Sequence, residues 1–243
     1  MQTMNGLKLG VATLAASICL TSLMIGSSRA EPAPFTLRAL YRLAPPSALR
    51  AAHTALLLVD VQREFVNGGL PLPSSRAAIQ SAAELAAWAR RSGILVILVH
   101  NVIDRPGSPL FRRGSAGAGF IAELAPRAGD LVIEKATGGA FSRTNLDAEL
   151  RARGIDTLIV GGFMTHLAVL TTASDAGILG YHVVVAADAT ATRALPGTAG
   201  PGQERASAGV DAAEQQRAAL ATIADRVADV MLGAAIRKIP VKP

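Results

Sequence analysis

The chain has 243 residues, of which 50% are hydrophobic, 4% are aromatic and one is cysteine, and its formal net charge is +6. These numbers predict one globular domain with an aliphatic core that is large enough to fold without disulfides. Arginines are scattered among acidic residues rather than clustered, and no basic run is interleaved with aromatic residues. We therefore expect no nucleic-acid partner.

Residues 1–30 have the pattern of a secretory signal peptide. A basic start at Lys8 is followed by an apolar stretch at 9–25 and by a small-x-small cleavage site at 28–30. The alternative is a retained membrane anchor, but an apolar run of about 17 residues is short for a membrane span. We therefore expect an exported protein, periplasmic or secreted, with no stable membrane span after cleavage. Cys19 would leave with the signal.

After a loose lead-in at residues 31–53, strand and helix patterns alternate along the chain. Continuous apolar runs predict buried parallel strands, and apolar residues at helical spacing predict the helices between them. The predicted strands are 54–60, 93–100, 130–135, 156–162, 182–188 and a short final one within 225–231. The predicted helices are 74–91 with Ser74 and Ser75 as possible caps, 144–153, 165–179 and about 211–224, and a loop rich in Gly and Pro spans 194–209. This alternation predicts an α/β fold with a parallel sheet covered on both faces.

Candidate functional groups follow several predicted strands, at the sheet edge where ligands bind in open α/β folds. Asp60 ends the first strand, Lys135 ends the third, and a glycine-led turn after the fourth delivers a helix start around Ala168. Free backbone N–H groups at a helix start favour developing negative charge. A carboxylate, an ammonium group and this helix start together predict one catalytic site. Asp188 ends the fifth strand, where we expect it to stabilise a loop.

Three segments resemble the isochorismatase-like superfamily, also called the cysteine hydrolases. They are LLLVDVQREFVNGGLPLP at 56–73, FRRGSAGAGFIAELAPRAGDLVIEKATGGAFSRTNL at 111–146 and IVGGFMTHLAVLTTASDA at 159–176. The resemblance covers about residues 54–191 and implies a three-layer α/β/α sandwich with a six-stranded, mainly parallel, Rossmann-like sheet. It also implies a small-molecule substrate and a homo-oligomer. We place the hydrolase domain at 54–235 and a C-terminal tail at 236–243.

The same resemblance implies which residues form the catalytic site. Asp60 matches the catalytic aspartate, Lys135 matches the catalytic lysine, and Ala168 occupies the position of the cysteine in the amidase members. Family members often have a cis peptide bond just before that position, which corresponds here to Phe163–Met164. Because a methyl group cannot attack a carbonyl, a thioester mechanism through residue 168 is excluded.

The isochorismatase branch implies a reaction that needs no protein nucleophile. Its members keep the aspartate and the lysine, have glycine at the third position, and cleave a vinyl ether after the aspartic acid protonates its methylene carbon. Met164 replaces the tyrosine of that branch, which removes one polar contact. The expected substrate contacts are Gln62, Phe65, Phe163, Met164 and His166.

We expect no metal and no other cofactor. Nicotinamidases of the superfamily have an Asp-x-His zinc site downstream of the first motif, but residues 74–92 contain neither Asp nor His. The four histidines lack ligand spacing. The Gly-rich stretches at 114–119 and 197–202 do not join a strand to a helix in GxGxxG form, as a nucleotide site requires.

The leading hypothesis is therefore a hydrolase that acts through Asp60 and Lys135 without a covalent intermediate. Two alternatives stay open. One is a small-ligand-binding protein that has kept the pocket and lost the reaction, and the other is a cysteine enzyme inactivated at residue 168.

Three arginines in the segment after the second strand are candidates to bind a carboxylate group of the substrate. They are Arg105, Arg112 and Arg113.

Overall fold

The structure, a computed structural model, describes residues 35–198 and 208–243. The predicted signal peptide at 1–30, with Cys19, and part of the predicted loop at 194–209 lie outside the described residues. The residues that are described belong to one compact unit. Within these ranges no helix is both long enough and apolar enough to cross a membrane.

A parallel sheet forms the centre of this unit. The strands of the described ranges are β1 (Leu49–Arg50), β2 (Thr54–Val59), β3 (Leu95–Asn101), β4 (Leu131–Lys135), β5 (Thr157–Phe163), β6 (His182–Ala191), β7 (Asp229–Met231) and β8 (Val241–Lys242). Six of them form the main sheet in the order β4-β3-β2-β5-β6-β7, and every neighbouring pair is parallel. The carboxyl ends of these strands therefore lie along one edge.

Helices cover both faces of the sheet, as the alternating pattern predicted. They are α1 (Leu37–Leu40), α2 (Ser75–Arg91), α3 (Leu146–Ala152), α4 (Leu170–Ile178), α5 (Ala212–Thr222) and α6 (Gly233–Ile236). Two π-helical turns, at Thr165–Val169 and Ile223–Val227, precede α4 and follow α5. The predicted three-layer α/β/α sandwich is confirmed.

The core lies in two layers because side chains of a strand alternate between the two faces of a sheet. From β2, Leu56 and Leu58 pack on one face with α2 and α6. Leu57 and Val59 pack on the other face with α3 and α4. All six residues of β2 are buried, as expected for a central parallel strand.

The structure differs from the predicted elements at several ends. The strand predicted to end at Asp188 continues to Ala191, because the pairing of β5 with β6 shifts register between Val160 and Gly162. Asp188 Oδ1 accepts a hydrogen bond from the N–H of Gly233 at 2.7 Å. Asp188 thus stabilises the start of α6 from within a strand, and its predicted place at a strand end was wrong.

Two other expectations need correction. Ser74 occupies the N-cap position of α2 without a side-chain cap bond, while the Ser75 hydroxyl donates to the carbonyl of Leu72 at 2.9 Å. Residues 225–227 belong to a π-helical turn, so the final strand of the sheet begins only at Asp229.

The segments predicted as a loose lead-in and a tail pair with each other. Leu49 lies opposite Val241 and Arg50 opposite Lys242 in a separate two-stranded parallel sheet. Leu49 is buried in the core layer that also contains α2. Packing of this leucine attaches the described part of the lead-in, residues 35–53, to the core.

Candidate active site

The main sheet brings Asp60 and Lys135 together. Asp60 directly follows β2, Lys135 is the last residue of β4, and β3 lies between these two strands. The Lys135 Nζ and Asp60 Oδ2 atoms are 2.7 Å apart, and the two side chains are only 1% and 4% exposed. Asp60 has a left-handed backbone with φ of 55°, and its N–H donates to the carbonyl of Val99. The predicted acid and cation therefore form one buried ion pair.

The two carboxylate oxygens of Asp60 have different environments. Lys135 binds Oδ2, whereas Oδ1 is buried and has no hydrogen-bond partner among the described residues. Burial raises the pKa of Asp60 to about 6, even though the charge and the hydrogen bond of Lys135 lower it. Desolvation outweighs the ion pair because it penalises the charged carboxylate. This carboxyl group is poised to exchange a proton close to neutral pH.

The turn after β5 has the backbone form that the family resemblance implied. The Phe163–Met164 peptide bond is cis, and the π-helical turn at Thr165–Val169 follows it. Ala168 lies in this turn, is 5% exposed and lines the same cavity as Asp60 and Lys135. The three predicted catalytic positions thus converge on one site.

A glycine before the turn allows β5 to approach β2 closely. Gly162 has φ of 120°, and a Cβ atom at this position would lie 1.9 Å from the carbonyl oxygen of Val59. Only glycine is compatible with this backbone and this contact. The close approach holds the turn beside Asp60, which directly follows Val59.

The cavity has a volume of about 380 Å³ and predominantly apolar walls. The ring of Phe65 lies 5.3 Å from the ring of Phe111 and 5.7 Å from that of Phe163, measured between centroids. Met164 and Leu167 also line it, and Leu167 is 51% exposed at its rim. The predicted contacts Phe65, Phe163 and Met164 therefore face the space beside Asp60.

Gln62 does not line the cavity. Its amide nitrogen donates to the carbonyls of Asn101 and Ala118 at 2.9 and 2.7 Å, and its carbonyl oxygen accepts the N–H of Asn101 at 2.8 Å. The side chain is completely buried. These bonds occupy the amide with backbone groups, so Gln62 fixes the end of β3 instead of contacting the cavity as predicted.

His166 also lies away from the cavity lining. Its Nδ1 atom forms a short hydrogen bond with the hydroxyl of Thr192, beyond the end of β6. Burial, followed by the nearby charge of Arg193, lowers the pKa of His166. The histidine therefore ties the turn to β6, which corrects its prediction as a cavity-facing contact.

The three predicted arginines differ in position. Arg105 lines the cavity and is exposed, whereas Arg112 does not line it. Arg113 forms ion pairs with Asp104 and Glu134, which occupy its guanidinium group. Of these three arginines, Arg105 is the one positioned to meet a negatively charged group in the cavity.

Sequence reasoning missed Asn101 and Glu64. Asn101 lines the cavity, and its Oδ1 atom is buried without a hydrogen-bond partner in the part of the chain that the structure describes. Its position at the end of β3, between Asp60 and Lys135, could have identified it. Glu64 is a buried carboxylate with no ion pair among the described residues, and its position in a 3₁₀ turn gave no periodic signal.

Glu64 holds together two loops that form the cavity wall. Its Oε1 atom accepts the N–H of Gly69 at 2.6 Å, and its Oε2 atom accepts the N–H of Phe111 at 3.5 Å. A Cβ atom at Gly117 would lie 1.8 Å from Oε2, so this glycine leaves space for the carboxylate. Glu64 therefore positions Phe111 and neighbouring Leu70, both of which line the cavity.

The fold and the site together define a class of protein. A parallel sheet carries a buried acid–lysine pair beside a cavity at the carboxyl ends of its strands, where α/β enzymes bind small molecules. Residues 54–235 match the isochorismatase domain, and the chain belongs to the isochorismatase family. It is a hydrolase of this family, as the resemblance of its motifs implied.

Relatives support this assignment. The secreted isochorismatase effector Isc1 of Verticillium dahliae is 34% identical over 182 residues, covering 74% of this chain and 88% of that protein. The ureidoacrylate amidohydrolase RutB of Variovorax paradoxus is 32% identical over 179 residues, covering 60% of this chain and 71% of that protein. The crystal structure of an isochorismatase from Pseudomonas putida KT2440 superposes with a TM-score of 0.74 at 32% identity, covering 83% of this chain and 98% of that one.

We predict that Glu64→Ala lowers the free energy of unfolding by about 1–3 kcal/mol, because it leaves the N–H of Gly69 without its acceptor. Glu64→Gln keeps an acceptor oxygen and should lose less. Urea denaturation measures both changes, and hydrogen exchange at Gly69 should become faster in the alanine variant. Glu123→Ala is a control, since that side chain is 51% exposed. An equal loss in Glu64→Ala and the control would contradict the role assigned to Glu64.

Proposed function

We propose that this chain hydrolyses a small molecule by proton transfer from Asp60, with no covalent intermediate on the protein. The observation that carries the proposal is the environment of the Asp60 carboxyl group. Lys135 binds one oxygen at 2.7 Å, the other has no hydrogen-bond donor among the described residues, and the pKa is raised to about 6. General acids work best when their pKa lies near the operating pH.

The surroundings of Ala168 disfavour nucleophilic catalysis. The hydroxyl of Thr165 donates to Gln216 at 2.7 Å, and the Thr172 hydroxyl accepts the N–H of Ala140 at 2.9 Å. Neither threonine lines the cavity, and no histidine of the described residues lines it. A hydroxyl needs a neighbouring base to become nucleophilic. We therefore propose a reaction different from that of a cysteine amidohydrolase.

An enol ether is the bond type that suits this machinery. Asp60 donates its proton to the terminal carbon of the double bond, whose π electrons form the new C–H bond and leave an oxocarbenium ion. Water adds to the cationic carbon and returns a proton to the Asp60 carboxylate. The resulting hemiketal breaks its C–O bond, transferring its hydroxyl proton to the leaving oxygen, and yields an alcohol and a ketone. One water molecule is consumed, and the carboxyl group is regenerated.

Lys135 has two roles in the proposed mechanism. Its ammonium group fixes the orientation of the Asp60 carboxyl through the 2.7 Å contact. It also stabilises the carboxylate that exists after the proton has left. The buried pair thus limits the rearrangement that accompanies proton transfer.

We propose a small, partly apolar substrate that carries a carboxylate. The walls contributed by Phe65, Phe163 and Met164 suit the apolar part. The exposed guanidinium of Arg105 suits the carboxylate, and the unpartnered Asn101 Oδ1 suits a hydroxyl donor. Gln62 and His166 are not part of this contact set.

We propose that the protein is exported. Its support is the signal-like pattern of residues 1–30 and the similarity to a protein named as a secreted effector. The proposal of a homo-oligomer rests on the family resemblance alone.

A panel of enol ethers, including isochorismate, and of small amides tests the proposed reaction. We expect turnover of at least one enol ether, with product followed by chromatography. Asp60→Asn should lower this turnover by at least about a hundredfold, because it removes the general acid. Ala168→Gly should keep it within a few-fold, since no atom beyond the backbone of residue 168 is required.

Asp60→Asn, a binding measurement and a further variant, Ala168→Cys, distinguish the competing functions. Turnover of an amide that survives in Asp60→Asn would contradict the proposal. Saturable binding of a panel compound without any product would instead favour the ligand-binding alternative. Amidase activity that arises only in Ala168→Cys would favour an inactivated cysteine enzyme.

The pH dependence follows from the raised pKa of Asp60. The reactive form is the protonated acid, whose fraction falls as the pH rises through about 6. We therefore expect kcat/KM to be constant below this pH and to fall about tenfold per pH unit above it. Steady-state rates measured over a range of pH, with circular dichroism to confirm folding, provide the test. A fall centred near the ordinary value of 3.8, or a rate that rises with pH, would contradict acid catalysis by Asp60.

A further inference from the structure

A second cavity lies at the opposite end of the main sheet from the candidate active site. It has a volume of about 380 Å³ and lies beside α1, the π-helical turn at Ile223–Val227 and the start of β6. Four basic residues line it, and we call it the basic cavity. They are Arg38, Arg42, His182 and Arg226.

Only part of this positive charge is compensated. Arg38 pairs with Asp229 at 2.6 Å, and the same carboxylate accepts His182 Nε2 at 2.9 Å. Asp225, next to Arg226 in the sequence, accepts the N–H of Leu37 at 2.9 Å. The residues that line the cavity include three arginines and no acidic residue.

Of the three arginines that line the basic cavity, Arg42 and Arg226 form no ion pair with any residue in the described parts of the chain. The guanidinium of Arg226 lies 5.5 Å from the ring centre of Tyr41, which restricts its orientation. Arg42 follows Tyr41 directly and has a left-handed backbone with φ of 56°. α1 packs against the π-helical turn, and this contact places both arginines beside one cavity.

We propose that the basic cavity binds a phosphate group. Guanidinium groups present paired N–H donors whose geometry matches phosphate oxygens, and each such contact is charge-assisted. Arg42 and Arg226 supply donors that form no ion pair among the described residues, and Arg38 lines the same cavity while it pairs with Asp229. Because the cavity lies at the amino ends of β6 and β7, this proposal is independent of the reaction at Asp60.

The phosphate group has two possible sources with the same chemistry. One is a soluble phosphate, and the other is the headgroup of an acidic phospholipid. Leu40 and Tyr41 beside the cavity are each 62% exposed. An exposed apolar rim beside arginines suits a lipid surface, so the experiment has to distinguish the two sources.

The test uses the full chain and the double variant Arg42→Gln/Arg226→Gln. Isothermal titration with inorganic phosphate measures the soluble source. Sedimentation with phosphatidylcholine vesicles, with and without phosphatidic acid, measures the lipid source as the difference between the two vesicle types. The matched control is Arg76→Gln/Arg91→Gln, which removes the same charge from exposed positions of α2.

We expect saturable binding in at least one arm, weakened about tenfold or more in Arg42→Gln/Arg226→Gln and unchanged in the control. Loss in the phosphate arm identifies a soluble ligand, and loss only in the phosphatidic acid arm identifies a lipid headgroup. Equal binding by the double variant and the control would overturn the proposal. Absence of binding in both arms would overturn it as well.

Discussion

The buried ion pair between Asp60 and Lys135 is the interaction on which the candidate site depends. Two charges removed from water are costly, and a buried partner left alone is more costly still. The parallel sheet meets this requirement because β2 and β4 end at the same edge, on either side of β3. Lys135 contacts Oδ2 of Asp60 at 2.7 Å, whereas Oδ1 has no hydrogen-bond partner among the described residues. We propose that this asymmetry makes Asp60 available for proton transfer.

Other buried residues position the elements that surround this ion pair. Glu64 and Gln62 are buried polar side chains whose bonds go to backbone groups, so they fix the loops and the end of β3 that surround the cavity. Burial of Asp60 beside the apolar walls raises the pKa of its carboxyl group. The turn around Ala168 has the cis peptide bond that the family resemblance implies, but residue 168 has no nucleophilic side chain. In the proposed mechanism, the reaction therefore depends on Asp60 as the acid.

The sequence predicted the elements whose signals are local. Continuous apolar runs predict the strands of the main sheet, and the rule that ligands bind at strand carboxyl ends places Asp60 and Lys135 in one site. Ala168 was placed beside them by resemblance, and the structure agrees. These predictions succeeded because a residue at the end of a parallel strand has few alternative positions.

The errors concern properties that depend on distant parts of the chain. The side chains of Gln62 and His166 point away from the cavity, although both residues are close in sequence to residues that line it. The extension of β6 beyond Asp188 depends on a register shift against β5, and the pairing of Leu49 with Val241 joins opposite ends of the described chain. No local pattern encodes such contacts.

The most direct test of the account is the titration of the Asp60 carboxyl group itself. Carbon-13 NMR of the chain labelled at aspartate carboxyl carbons would follow it, with the resonance assigned by its absence in Asp60→Asn. Our account predicts a midpoint at about pH 6. A midpoint at or below the ordinary value of 3.8 would show that Lys135 holds Asp60 as a permanent carboxylate, and would contradict its role as the acid.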